Sequence, residues 1–101
     1  MSDIQDTIRD TVQKHRVVLF MKGTKNFPQC GFSARAVEIL KKAGAEFKDV
    51  NVLADPAIRQ GIKEFSNWPT IPQVYIQGKF VGGSDILLEM FNSGELQKLL
   101  S

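Results

Sequence analysis

Apolar positions along this chain alternate between a spacing of three or four and short unbroken runs, a rhythm that predicts helices and strands in turn. Ile4, Ile8 and Val12 recur every four residues, so a first helix lays one apolar face along them, with Ser2 or Asp3 as its cap. Arg16 to Met21 (Arg-Val-Val-Leu-Phe-Met) is a continuous run of the kind a buried strand carries. After a loop from Gly23 to Gln29, a second helix turns Ala36, Val37, Leu40 and Ala43 inward and stops at Gly44. Phe47 to Val52 is the next strand. Asp55-Pro56 is a cap followed by proline at the first helical position, and Ile58, Ile62 and Phe65 form the buried stripe behind it. Val74-Tyr75-Ile76 and Lys79-Phe80-Val81 flank Gln77-Gly78 as a hairpin. Ser84 caps a further helix with Leu87, Leu88 and Phe91 inward. Gly94 ends it, and Leu96, Leu99 and Leu100 mark a short terminal helix.

The resulting order, αβαβαββα with a final short helix, predicts an α/β fold. A βαβ half followed by a ββα half makes a mixed four-stranded sheet with helices on both faces. No repeat, linker or low-complexity tract interrupts it, so residues 1–101 read as one domain. In such a sheet the loops carrying Cys30, Thr70-Ile71-Pro72 and Gly82-Gly83-Ser84 converge at one end.

Composition narrows the function classes. Thirteen basic against eleven acidic residues leave a formal charge of +2, too small and too scattered to argue for nucleic acid. The longest apolar run, Val17 to Met21, falls far short of the roughly 20 residues of a membrane-spanning helix. The first residues carry Asp3, Asp6 and Asp10 against Arg9, unlike a signal or transit peptide. No phosphate loop, paired catalytic carboxylates or Ser-His-Asp set is present. His15 follows the first helix without a second histidine to make a metal pair.

Chemistry concentrates on the single cysteine, Cys30. It follows the turn-like Asn26-Phe27-Pro28-Gln29 and stands where the second helix begins. At a helix N-terminus, unpaired N–H groups and the positive end of the dipole favour the thiolate, which is both nucleophile and metal ligand. One thiol closes no internal disulfide. Dithiol oxidoreductases resolve mixed disulfides with a second cysteine in C-x-x-C; here Ser33 fills that position, so resolution needs an outside thiol. Ser33 itself reads as a residue of the first helical turn with no chemistry. The absence of paired cysteines fits a reducing compartment, by default the cytoplasm, or an organellar matrix if a presequence has been removed.

Gly23-Thr24, Pro28, Cys30-Gly31-Phe32-Ser33, Trp68-Pro69-Thr70-Ile71-Pro72 and Gly82-Gly83-Ser84-Asp85 together resemble the single-domain monothiol glutaredoxins of the C-G-F-S type, over nearly the whole chain. The resemblance implies a thioredoxin-like fold, bound glutathione, and a labile 2Fe–2S cluster shared by two subunits, with a role in cluster assembly, transfer or iron regulation. Cys30 is then both nucleophile and cluster ligand. Lys22 lies near the glutathione carboxyl and the thiolate, and Arg59 takes the glycyl carboxylate with its planar fork. Pro72 is cis and presents the Ile71 backbone to the cysteinyl part of glutathione, like a short added strand. Gly82 and Gly83 allow close approach, Ser84 starts a helix whose N–H groups suit an α-carboxylate, and Asp85 faces the γ-glutamyl ammonium. Lys63 reads as part of an exposed polar face and Trp68 as a packing residue. Phe32 either shields a cluster or partner contact, or packs into the core.

Four thiolates ordinarily hold a 2Fe–2S cluster. Two chains and two glutathiones supply them, so the expected state is a homodimer with cluster and a monomer without. BolA-like proteins and cluster acceptors are the partners the resemblance implies. The alternative is a glutathione-dependent oxidoreductase that deglutathionylates protein thiols through Cys30, although this type is associated with poor turnover on small disulfides. A third possibility is an adaptor without chemistry. Some relatives carry a second cysteine after the glycine pair where this chain has Ser84, so an internal disulfide switch is closed to it.

Overall fold

The computed structural model describes residues 3–101. The elements run α1 (Ile4–Lys14), β1 (Val17–Met21), α2 (Gly31–Lys42), β2 (Lys48–Asn51), α3 (Pro56–Ser66), β3 (Gln73–Ile76), β4 (Lys79–Gly82), α4 (Ser84–Ser93) and α5 (Glu95–Leu100). The order matches the expected one. The sheet runs β2-β1-β3-β4, with β1 parallel to β2 and the other neighbours antiparallel.

Alternation along the central strand builds both cores. Every residue of β1 is buried. Val17, Leu19 and Met21 pack on one face with Ala36, Leu40, Leu87 and Leu96 of α2, α4 and α5. Val18 and Phe20 pack on the other with Ile8, Val12 and Ile62 of α1 and α3. A strand covered on both faces needs apolar side chains at every position, which is why this segment reads as a continuous run.

Local signals close the elements. Asp3 caps α1 by accepting the Asp6 N–H at 3.0 Å; the alternative cap, Ser2, lies outside the described residues. Asp55 caps α3, with Pro56 behind it. Gly44, at φ 76°, ends α2 in a Schellman turn, its N–H bonding the Lys41 carbonyl while that of Ala45 bonds Leu40. Asn67 ends α3 in the same way at φ 53°. Gln77 and Gly78 both have positive φ, the two-residue turn that suits the twist of a hairpin.

Two expectations about strand limits need correction. Arg16 is not in β1: it is exposed, and its guanidinium instead reaches the carbonyls of Leu100 and Ser101 at the end of α5. Phe47 and Val52 flank β2 rather than belonging to it, although both are buried and the Val52 N–H still bonds the Met21 carbonyl at 2.9 Å. The short terminal helix is present as expected, with Leu96 buried and Leu99 facing solvent.

Register puts one end of the sheet in charge of the site. Met21 pairs with Asn51, Phe20 with Gln73, and Val74 with Gly82. The ends of β1, β2 and β4 and the start of β3 therefore meet at a single edge, where α2, α3 and α4 also begin. Among the described residues no helix is long and apolar enough to cross a membrane.

Candidate functional site

Cys30 is the N-cap of α2, with extended backbone at φ −150° and its carbonyl accepting the Ala34 N–H at 2.9 Å. The thiol is partly exposed. It makes no side-chain capping hydrogen bond, yet its surroundings hold its pKa below the ordinary thiol value. The backbone N–H of Ser33 is the largest cause. Desolvation opposes it, and the Phe32 N–H, the Lys22 charge and the Ser33 hydroxyl add to the lowering.

Ser33 does more than fill a helical turn. It is fully buried, and its oxygen accepts the Lys22 N–H at 3.0 Å, tying the end of β1 to the first turn of α2. The same hydroxyl also lowers the Cys30 pKa, more weakly than the Ser33 N–H does. One small polar side chain thus links the groups that flank the thiol.

The loop before Cys30 is bonded throughout. The Gly23 N–H donates to the Asn51 side chain at 2.9 Å, and the Lys25 N–H to Asp49 at 2.8 Å. The Lys25 ammonium bonds the Phe47 carbonyl at 2.7 Å and lies 4.6 Å above the Phe47 ring. Thr24 and Phe27 exchange backbone bonds, and the Gln29 N–H donates to the Lys22 carbonyl. Phe27 projects from the loop, 74% exposed.

Beside the thiol lies a groove of about 430 Å³. It brings together Lys22, Arg59, Ile71, Pro72, Gly83, Ser84 and Asp85, the residues that sequence motifs singled out for ligand contact. Cys30 itself does not line the groove; Lys22 and Phe32 do, and both also influence its sulfur, which places the thiol next to the groove rather than inside it. Lys22, just after β1, and Arg59 and Lys63 of α3 stand on its walls, and the first turn of α4, with Asp85, closes the other side. The Ile71–Pro72 peptide is cis. A Cβ on Gly83 would come within 3.3 Å of the Pro72 carbonyl, so a glycine here keeps the two walls close.

Ser84 is not the helix cap. Gly83 holds that position in extended conformation, and Ser84 is the buried first residue of α4. The glycine leaves the first N–H groups without a side-chain acceptor, which keeps that helix end open to an anion. The groove also takes in residues that motif reading had set aside. Lys63 stands on the same face of α3 as Arg59, partly buried and lining the wall; their spacing of four was the available signal. Trp68 packs against Phe80 with ring centroids 5.9 Å apart, but also lines the groove, as does the half-exposed Phe32. A second, shallow depression at the opposite end of the sheet, between Lys14–Val17 and Gly44–Lys48, holds none of these residues.

Known proteins point the same way. The glutaredoxin family model matches residues 17–81. An uncharacterized monothiol glutaredoxin, ycf64-like, from Synechocystis sp. is 59% identical over 92% of this chain and 87% of its own length. A chloroplastic monothiol glutaredoxin-S14 of Arabidopsis thaliana is 56% identical over 94% of this chain, which spans 55% of that longer relative. The solution structure of reduced poplar apo GrxS14 superposes with a TM-score of 0.84 at 55% identity, covering 96% of this chain and 89% of that one. With a thioredoxin-like fold, a single cysteine at the head of α2 and these relatives along almost its whole length, the chain belongs to the glutaredoxin family, in its monothiol class.

Proposed function

We propose that this protein binds glutathione in the groove beside Cys30 and, with a second copy of itself, holds a labile 2Fe–2S cluster for assembly, transfer or iron regulation. The observation that carries the reading is the meeting of Lys22, Arg59, the Ile71 backbone and the Gly83–Asp85 turn in one groove against a thiol whose pKa is lowered. Glutathione is a short peptide with two carboxylates, one ammonium and one thiol. Lys22 and Arg59 suit a carboxylate and the thiolate, the N-terminus of α4 suits the other carboxylate, and Asp85 suits the ammonium.

The donor set fits a shared cluster. Cys30 offers one partly exposed thiolate, and among the described residues no three His, Cys, Asp or Glu side chains gather as a metal site. The remaining thiolates would come from two glutathiones and the partner's cysteine. A bound cluster supplies a removable iron–sulfur unit, and the groove's part is to fix each glutathione sulfur beside Cys30. BolA-like proteins and cluster acceptors are the partners this reading assigns. The cytoplasm or an organellar matrix is the proposed location.

Anaerobic reconstitution with iron and sulfide, followed by visible absorption and sedimentation, tests it. A coloured dimer is expected only with glutathione, and a colourless monomer without. A stable cluster on Cys30→Ser, or one formed equally well without glutathione, would sink the proposal.

The lowered thiol pKa favours a second reading, a glutathione-dependent oxidoreductase. The Cys30 thiolate would attack the glutathione sulfur of a protein mixed disulfide, forming a Cys30–glutathione disulfide and releasing the protein thiolate. A second glutathione thiolate then attacks that adduct, yielding glutathione disulfide and restoring Cys30. Rapid deglutathionylation by protein that forms no cluster would favour this alternative.

A further inference from the structure

Gln73 opens β3 as a fully buried polar side chain. Its Nε2 donates to the carbonyls of Trp68 and Thr70, each at 3.1 Å, and its Oε1 accepts the Tyr75 hydroxyl at 3.1 Å. The orientation of the amide follows from its partners. Two carbonyls accept only, so the NH₂ must face them, and the oxygen is left for the one group that donates.

Tyr75 is anchored in turn. Its ring lies among Phe20, Phe65 and Phe80, at centroid distances of 5.6, 5.9 and 5.4 Å. Burial raises its pKa to about 12, so the hydroxyl remains a donor at physiological pH. Ser66, at the end of α3, accepts the Trp68 N–H at 3.1 Å and so fixes the other side of the same loop.

The consequence lies in the next peptide. Within a trans peptide the carbonyl and the N–H point in opposite directions. With the Thr70 carbonyl drawn inward onto Gln73, the N–H of Ile71 points away from the core. The Ile71 side chain is itself buried, so the backbone is what this residue offers to the groove.

We propose that Gln73 is the positioning residue of the groove: anchored by Tyr75, its amide clamps the Trp68 and Thr70 carbonyls and thereby aims the Ile71 backbone at the peptide part of glutathione. This rests on the glutathione reading above and assigns its loop geometry to a residue that never touches the ligand. The clamp is far from the cysteine loop in its bonding, so it acts on ligand affinity and leaves the thiol alone.

Gln73→Met keeps the length and removes every side-chain hydrogen bond; Tyr75→Phe leaves the amide in place and removes its anchor, along with the hydroxyl's contact to Ser66. Reduced glutathione is titrated calorimetrically into each full-length protein, and the Cys30 alkylation rate by iodoacetamide is measured in parallel. Loss of a preordered backbone should weaken glutathione about tenfold in Gln73→Met and about threefold in Tyr75→Phe, with alkylation unchanged. Amide exchange should quicken at Trp68–Ile71 while Val74 stays protected. Should Gln73→Met fail to fold, Tyr75→Phe carries the test. Binding within about twofold of wild type in folded variants overturns the clamp, as does a loss of affinity that alkylation follows in parallel. Wild-type protein that binds no glutathione overturns the glutathione reading first and the clamp with it.

Discussion

The backbone N–H of Lys22 donates to the hydroxyl of Ser33 at 3.0 Å, across the gap between the end of β1 and the first turn of α2. That bond makes Ser33 a joint rather than an inert substitute for a second cysteine. It sets the base of the loop that ends at Cys30, and the Ser33 hydroxyl adds a small share to the lowering of the thiol pKa.

Ser33→Ala removes the acceptor while leaving the backbone N–H that most lowers the thiol pKa. Two effects of different size are expected. Stability should fall by about 1–2 kcal/mol, the cost of a partly buried donor without a partner. The Cys30 pKa should rise only slightly, because the hydroxyl is the smallest of the influences upon it. Urea denaturation reads the first and thiolate absorbance near the ultraviolet edge reads the second. A large pKa change with unaltered stability would reverse this assignment.

The lowered thiol pKa carries a sign that equilibrium unfolding can read. Across the interval between the folded and unfolded pKa values, the unfolded chain binds more protons, so unfolding free energy rises with pH. The stabilisation is fully present above the unfolded thiol value, about 8.5, and is lost as pH falls through the folded one. Wild type minus Cys30→Ala should therefore gain stability as pH rises through that window and level off above it. Lys22→Ala should narrow the window, since the lysine charge helps lower the pKa. A flat difference between wild type and Cys30→Ala would contradict the shift.

Much of this arrangement is legible in the sequence itself. The continuous run at Val17–Met21 could only suit a strand covered on both faces, and Asp55-Pro56, Gly44 and Gln77-Gly78 each carry local geometry in their covalent chemistry. Convergence of three loops followed from the element order. Arg16 departs from the expected strand because a charged residue beside an apolar run gives no clue to a partner 84 positions away. Ser84 displaced Gly83 as the expected cap because serine is the commoner capping residue, and only the backbone shows the glycine in that place. Gln73 carries no such signal. Its hydrogen bonds run to carbonyls, which every residue has, so nothing in the neighbouring side chains announced them.

Glycine at position 23 is required by space as well as by conformation. Its φ is 92°, and a Cβ there would lie 2.5 Å from the Phe27 carbonyl oxygen and 2.7 Å from the Gln29 nitrogen. Both neighbours are backbone in the stapled loop, so neither yields cheaply. Gly23→Ala should cost about 2–5 kcal/mol, combining a left-handed alanine with an overlap. Gly31→Ala is the control, because its Cβ would meet nothing within 4 Å. Comparable thermal midpoints for the two variants would refute the argument.

Asn51 supports the same loop from β2. Its side-chain oxygen accepts the N–H groups of Gly23 and Leu53, at 2.9 and 3.0 Å, joining the cysteine loop to the connection that leads into α3. Asn51→Ala leaves both donors without their acceptor and should cost about 1–3 kcal/mol. Asn51→Asp keeps the acceptor and should recover most of it. Chemical denaturation of the three proteins distinguishes a lost acceptor from simple loss of side-chain volume, which the aspartate would not reproduce.

Arg59 and Asp85 stand on different walls of the groove, one on α3 and one in the first turn of α4, and the proposed ligand carries opposite charges at its two ends. Each should therefore answer to a different chemical group. Arg59→Ala is expected to weaken glutathione roughly 10- to 100-fold, the range for a lost charge-assisted hydrogen bond, and Arg59→Lys should recover only part because the planar fork is gone. Asp85→Ala should weaken glutathione by a similar mechanism through the ammonium. A glutathione analogue whose γ-glutamyl amine is replaced by hydrogen separates the two residues. Against that analogue Asp85→Ala should lose nothing relative to wild type, whereas Arg59→Ala should lose as much as before. If Asp85→Ala weakened both ligands equally, the carboxylate would be serving the first turn of α4 and not the ammonium.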